Sequence, residues 1–390
     1  MKVIALVDCD SFFVSCEQKV NPELKGKPVC VLSNKDGCVI SRSKEAKKMG
    51  VRMGQPYFLA KVEFPGAVYV SCHHDLYGEI SREVMNLLRE FSPKVQVYSV
   101  DEAFIELTGL KRLYKKNYFD LAVYIREQIK EKLDIPVSIG VSSTKTLAKL
   151  ASDKAKNTEN GVYLIGNNKI KTELKNTKIE EIWGIGKNLT VSFKKAGILS
   201  AADLTAKEDI FLDKLAGIHA LEMKHELLGE IVSPVVNEEK IPKSIQKTSA
   251  FGIFTSDLNY IKNQLNYHIH SACRKLRKID CKASTIGVML RTKDFKVSYE
   301  KKIIPVPTSF EPEISDIAFS LLEKIHSPSI LYRSTGIILE GLRSNSEEQL
   351  FLFSDEAVDS KKEKLSKCFD NLESRFGKDI VQIGFVKDKK

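Results

Sequence analysis

Three carboxylates carry the sharpest chemistry in this chain. They are Asp8, in the stretch LVDCDSFF, and the neighbours Asp101 and Glu102, in YSVDEAFIEL. Each lies at the edge of an apolar run that reads as a buried strand, where acids are rare. Neighbouring strands would bring the three together, and clustered carboxylates repel and raise one another's pKa. A divalent cation relieves that repulsion, and hard oxygen donors suit Mg²⁺. Two such ions, about 3.5–4 Å apart, can activate an attacking hydroxyl and stabilise a departing pyrophosphate in one in-line displacement. Consecutive strand residues point to opposite faces, so Asp101 and Glu102 can act together only where the strand bends or ends. Taken singly, the same acids also suit turns or helix caps.

The elements that must position these acids can be traced along the chain. Residues 2–7 and 29–32 read as strands, and 38–40 leads into a short helix with Ser43 as N-cap and Gly50 as its stop. Residues 74–91 predict an amphipathic helix with Leu76, Ile80, Val84, Leu87 and Leu88 on one face. Strands over 95–100 and 103–107 flank the acidic pair. A helix at 119–132, a strand at 137–141 and a helix at 144–156 follow, which argues for helices packed on one sheet. From 179 to 228 the pattern is short, helical and glycine-punctuated. Residues 232–244 are polar, carry two prolines and read as a linker. Residues 245–343 predict a separate βαββαβ unit, so the fold class is α/β and α+β, multidomain.

Composition narrows the partners. The 390 residues carry a formal charge of +10, which favours a polyanion. Residues 245–343 hold fifteen Lys and Arg against nine Asp and Glu, over half of that excess. The eight cysteines show no CxxC pair and sit mostly in apolar stretches, as reduced core cysteines do. The opening MKVIALVD turns acidic too soon for a signal peptide, and no apolar run reaches membrane-spanning length. The expected location is cytoplasmic.

Four motifs stand in order: LVDCDSFFVSCEQ, SNKDGCVISRSKEAKKMGVRMG, YSVDEAFIEL and GVSSTKTLAKLASDKAK. They resemble the Y-family of translesion DNA polymerases, and the SNKDGCVISR form is most similar to the UmuC branch. The likeness covers residues 1–353. It implies a right hand: palm at 1–12 and 75–165, fingers at 13–74, a helix–hairpin–helix thumb at 166–232, a linker at 233–244, a little finger at 245–343 and a tail at 344–390. It implies Asp8, Asp101 and Glu102, with the backbone carbonyl of Cys9, as ligands of two Mg²⁺ ions. Asp10 falls outside that set, as a structural acid with local hydrogen bonds. Phe13 matches the steric gate, a flat ring under the sugar of the incoming nucleotide. Phe12 beside it would pack in the core or against the sugar's other edge. Lys44 and Lys47, where the family often has Tyr and Arg, and Lys156 from the palm side would meet the triphosphate.

The DNA-holding elements follow. WGIGK, with Gly184, Gly186 and Lys187, fits a helix–hairpin–helix turn whose backbone amides grip a phosphate. CRKLRK, with Arg274, Lys275 and Arg277, and LRTKDFK, with Arg291 and Lys293, would hold the DNA backbone electrostatically. CRKLRK also has the composition of a plain solvated helix face. QLFLF (Gln349, Leu350, Phe351, Leu352, Phe353) lies in an acidic, polar stretch and resembles a sliding-clamp-binding peptide. A short strand returning to the little finger is the other reading. Residues 361–376 predict an amphipathic helix. The resemblance implies template-directed, low-fidelity addition of dNTPs to a primer across damaged DNA, in an SOS-type response. Its partners would be primer–template DNA, the β sliding clamp, a UmuD-like dimer and a RecA filament. The rival is a non-catalytic DNA-binding accessory that keeps the fold.

Overall fold

A computed structural model describes residues 2–33, 37–237, 241–344 and 356–377. The chain divides into two compact units, Met1–Glu238 and Glu239–Lys390. In the first, strand β1 (Ile4–Cys9) leads into helix α1 (Phe12–Val20). Strands β2 (Val29–Leu32), β3 (Val39–Arg42) and β4 (Val68–Ser71) form a small sheet with the short helices α2 (Lys44–Lys48) and α3 (Tyr57–Glu63). Helix α4 (His74–Phe91) returns to strands β5 (Val95–Val97) and β6 (Glu102–Glu106). Helices α5 (Leu110–Tyr114) and α6 (Tyr118–Leu133), strand β7 (Val137–Ser142), helix α7 (Lys145–Ala155) and strand β8 (Val162–Leu164) follow.

The main sheet runs β5-β6-β1-β7-β8, with β1 at its centre and antiparallel to both neighbours. Strand alternation divides its side chains between two faces. Ala5, Val7, Cys9, Ala103, Ile105 and Ile139 pack into the large core with residues of α4 and α6. Ile4, Leu6 and Phe104 turn the other way, against Ala148 of α7, Val235 and half-buried Trp183. Helix α7 approaches this second face closely because β7 offers Gly140. A Cβ there would stand 2.0 Å from the Ser152 amide nitrogen and 2.2 Å from the Ala148 carbonyl oxygen.

Five short helices complete the unit: α8 (Ile170–Lys175), α9 (Lys187–Lys195), α10 (Ala201–Ala206), α11 (Asp209–Ala216) and α12 (Ile218–Leu227). Buried Glu226 of α12 ties them to the sheet layer. Its carboxylate accepts the amides of Thr146, Val232 and Ser233, and its carbonyl accepts the Thr144 hydroxyl. The segment expected as a linker is strapped down over its first part. Val235 is 5% exposed, Asn237 accepts the Val95 amide at 2.7 Å, and Ser233 contacts Lys145.

The second unit runs β9 (Ser244–Thr255), α13 (Leu258–Lys278), β10 (Cys281–Thr292), β11 (Val297–Thr308), α14 (Glu311–Ile325) and β12 (Tyr332–Ser344), the expected βαββαβ order. The sheet order is β11-β10-β12-β9, and α13 and α14 cover one face. A last helix, α15 (Glu356–Phe376), lies on those helices through ion pairs. All eight cysteines are free. Among the described residues, no helix is long and apolar enough to cross a membrane.

Candidate active site

Asp8 and Glu102 are directly opposed in the β1–β6 ladder. Opposed residues of an antiparallel pair share a face, so both carboxylates lie at one end of the face that α7 covers. Asp101 stands just before β6, in a tight turn. The amides of Tyr98 and Ser99 both donate to the Glu102 carbonyl, and the Cys9 amide donates to the Asp101 carbonyl at 2.9 Å. The backbone bends at Asp101, immediately before β6 begins at Glu102. Its carboxylate accepts the Ser99 hydroxyl at 2.5 Å.

Helix α7 brings cations to this corner. Lys149 and Lys156 are seven residues apart, on one helical face. Lys149 pairs with Glu102 and, at 3.3 Å, with Asp8; Lys156 reaches the same Asp8 oxygen at 3.0 Å. Burial would push the Asp8 carboxyl up, but the hydrogen bond with Glu102 and the two ammonium groups hold it below its usual value. Glu102 goes the other way, pushed up to about 7 by burial and by its hydrogen bond to Asp8, against the pull of Lys149.

Among the described residues no three acidic, histidine or cysteine side chains converge as a finished metal cage. Asp8 and Glu102 converge on ammonium nitrogens, and the Asp101 carboxylate accepts the Ser99 hydroxyl. The donor set nevertheless fits a hard divalent cation: carboxylate oxygens fixed on a rigid strand end, already drawing positive charge. Cys9 contributes nothing through sulfur. Its side chain is 3% exposed in the core, where burial raises the thiol pKa well above the ordinary range.

Phe12 is 3% exposed and belongs to the core, so it has no face for a sugar. Phe13 is half-buried, stacked on Tyr77. Asp10 accepts the Ser138 hydroxyl at 2.8 Å across the sheet, a long-range bond rather than a local one. Lys44 and Lys47 are exposed on α2 and take part in no ion pair among the described residues. Gly184, Gly186 and Lys187 are exposed too, with Gly184 at φ +90° and Gly186 as the N-cap of α9. The element before that turn is a single 3₁₀ turn, Ile179–Glu181, not a full helix.

The basic run on α13 divides. Lys275 is exposed, but Arg277 grips Asp370 of α15 through two bonds of 2.8 and 2.7 Å, and Arg274 pairs with buried Glu373. Both arginines were expected at DNA; their partners lie about a hundred positions away, beyond any reading of local charge. Arg291 is half-buried, its Nε lacking a hydrogen-bond partner, and Lys293 is exposed over the Phe254 ring. Residues 349–353 lie outside the described residues. Lys149 went unnoticed in the sequence, although its spacing from Lys156 marks it.

Residues 7–153 match the model of the impB/mucB/samB family, and residues 242–352 that of the family's C-terminal domain. The protein UmuC of Salmonella typhimurium is 32% identical over 388 residues, covering 96% of this chain and 92% of that protein. A DNA polymerase IV of Saccharolobus solfataricus is 34% identical over 331 residues, covering 83% and 91%. A solved Dbh–Dpo4 Y-family polymerase chimera is 29% identical with a TM-score of 0.75, covering 88% of this chain and all of that one. An insertion ternary complex of the Dbh polymerase gives 28% and 0.62 over the same shares. The chain belongs to the impB/mucB/samB family, as a UmuC-like Y-family polymerase. It is a DNA-directed DNA polymerase of the translesion kind.

Proposed function

We propose that Asp8, Asp101 and Glu102, with the Cys9 carbonyl, form the catalytic centre and hold two Mg²⁺ ions. The observation that carries this reading is the register of Asp8 against Glu102, with Asp101 hydrogen-bonded to the next backbone amide. The reaction is attack of a primer 3′-hydroxyl on the α-phosphate of a dNTP, releasing pyrophosphate. The ions, when bound, neutralise the phosphates and ease loss of the hydroxyl proton.

The chain's own residues do the positioning. Lys156, exposed over two fifths of its side chain, moves from Asp8 to the triphosphate, which Lys44 and Lys47 meet from the fingers. Lys149, more deeply buried, stays to hold Glu102 and Asp8 at the strand end. Phe13 lies under the sugar and excludes a 2′-hydroxyl. The exposed Gly184–Lys187 turn grips backbone phosphate through its amides. Lys275, Arg291 and Lys293 supply the little finger's attraction for DNA, while Arg274 and Arg277 belong to the contact with α15.

Low fidelity, action in an SOS-type response, attachment of QLFLF to the β sliding clamp, and dependence on a UmuD-like dimer and a RecA filament belong to the same reading. Their support is the resemblance to UmuC. Intact Asp8, Asp101 and Glu102 favour an enzyme over a non-catalytic accessory. The test is primer extension across an abasic site, with and without clamp and activators. Growth of the labelled primer supports the reading, and failure under every condition defeats it.

A further inference from the structure

The Phe13 ring has a backing plate. It stacks on Tyr77 with centroids 4.6 Å apart and planes inclined by 18°, and His74 meets it edge-on at 6.3 Å. Tyr77 is 1% exposed, and its hydroxyl donates to Glu17 Oε1 at 2.6 Å. The same oxygen meets His73 Nδ1 at 2.7 Å. Glu17 is itself buried, 7% exposed. Its place in that core requires such polar partners.

Spacing closes this set into a ring. Phe13 and Glu17 are four apart on α1; His73 and Tyr77 are four apart at the start of α4. Residues four apart share a helix face, so α1 presents a ring and a carboxylate together, to the phenol on α4 and the imidazole of its N-cap His73. Phe13 has no hydroxyl and cannot tether itself. An offset ring pair alone is worth only about 0.5–1.5 kcal/mol and can slide. The hydrogen bonds from Tyr77 and His73 to Glu17 fix the plate behind it.

We propose that Glu17 and His73 are positioning residues for sugar selection, pinning Tyr77 and so setting how far Phe13 projects towards the sugar of the incoming nucleotide. This rests on the reading of Phe13 as the gate. A ring that cannot retreat excludes a 2′-hydroxyl; one that yields by part of an ångström admits it.

The test compares kcat/KM for dCTP and rCTP opposite template dG in wild type, Phe13→Ala, Tyr77→Phe, Glu17→Gln and His73→Ala. The ratio is internal to each variant, so partial loss of folded protein cancels. His73 has a side chain 58% exposed and tolerates truncation even if Glu17→Gln does not fold. The expected result is a large fall in the ratio for Phe13→Ala and a fall of about tenfold for the three plate variants, in line with the rate penalties of small misplacements. Collapse in Phe13→Ala with wild-type ratios in the other three overturns the proposal and leaves the gate standing. An unchanged ratio in Phe13→Ala overturns the gate itself, and the proposal with it.

Discussion

Lys149 on α7 bridges Asp8 on β1 and Glu102 on β6, so one ammonium group joins two strands and a helix at the end of the sheet. Its side chain is 16% exposed, and the Asp8 side chain 7%. Removing one partner of a buried pair leaves uncompensated charge, at about 3–5 kcal/mol. Lys149→Met is therefore expected to destabilise the metal-free protein by about that amount. Added Mg²⁺ should recover part of the loss, since a ligand that binds only the folded state stabilises it. Thermal melts with and without Mg²⁺ check this, and an unchanged metal-free melting point would contradict it.

Gly140 is the second point of leverage. Any side chain there meets the backbone of α7 at Ser152 and Ala148, which no rotamer change can relieve. Overpacking of this kind costs about 1–3 kcal/mol or more. Gly140→Ala should lower stability to denaturant and also slow primer extension, because displacing α7 withdraws Lys149 and Lys156 from the carboxylates. Wild-type stability and rate together would rule out the close approach.

The second unit should respond to pH through His270. Its hydrogen bond to Glu311, together with Glu373 and against the effect of burial, raises its pKa from 6.5 to about 9. A group whose folded pKa is raised stabilises fully below its unfolded value and loses that contribution as pH climbs through the folded one. The stabilisation, roughly 3 kcal/mol, should thus be present at pH 6 and gone by about pH 10. His270→Gln should flatten the dependence. Denaturant unfolding across that range checks it, and a slope that survives in the variant would refute the assignment.

Arg277 and Lys275 separate two roles on one helix. Arg277→Ala breaks a bidentate pair with Asp370 and should loosen α15 by about 1.5–3 kcal/mol. Faster proteolytic cleavage near residue 370 would report it. Lys275→Ala should leave proteolysis alone and weaken DNA binding at low salt. Cleavage equal in both variants would remove the distinction.

How far the chain could be read without its structure depends on the range of each interaction. Helix α4 carries its apolar stripe and capped α2 its Ser43 in local sequence, and both lie where the pattern predicts. The βαββαβ order follows from alternating periodicities, each a few residues long. The bend at Asp101 is invisible locally, because the Cys9 amide that bonds its carbonyl comes from another strand. Lys149 looks like any surface lysine until Gly140 draws α7 down. Arg274 and Arg277 looked like DNA contacts because the acids that take them sit on a distant helix. Val235 anchors a segment whose composition is otherwise that of a linker.

The central claim is that the acids at the ends of β1 and β6 carry out nucleotide addition. Single-turnover primer extension by Asp101→Asn and Glu102→Gln, with DNA affinity measured alongside, tests it most directly. The account predicts extension slowed by at least about 10²–10³-fold with affinity for primer–template essentially unchanged. Extension at the wild-type rate in either variant would contradict it.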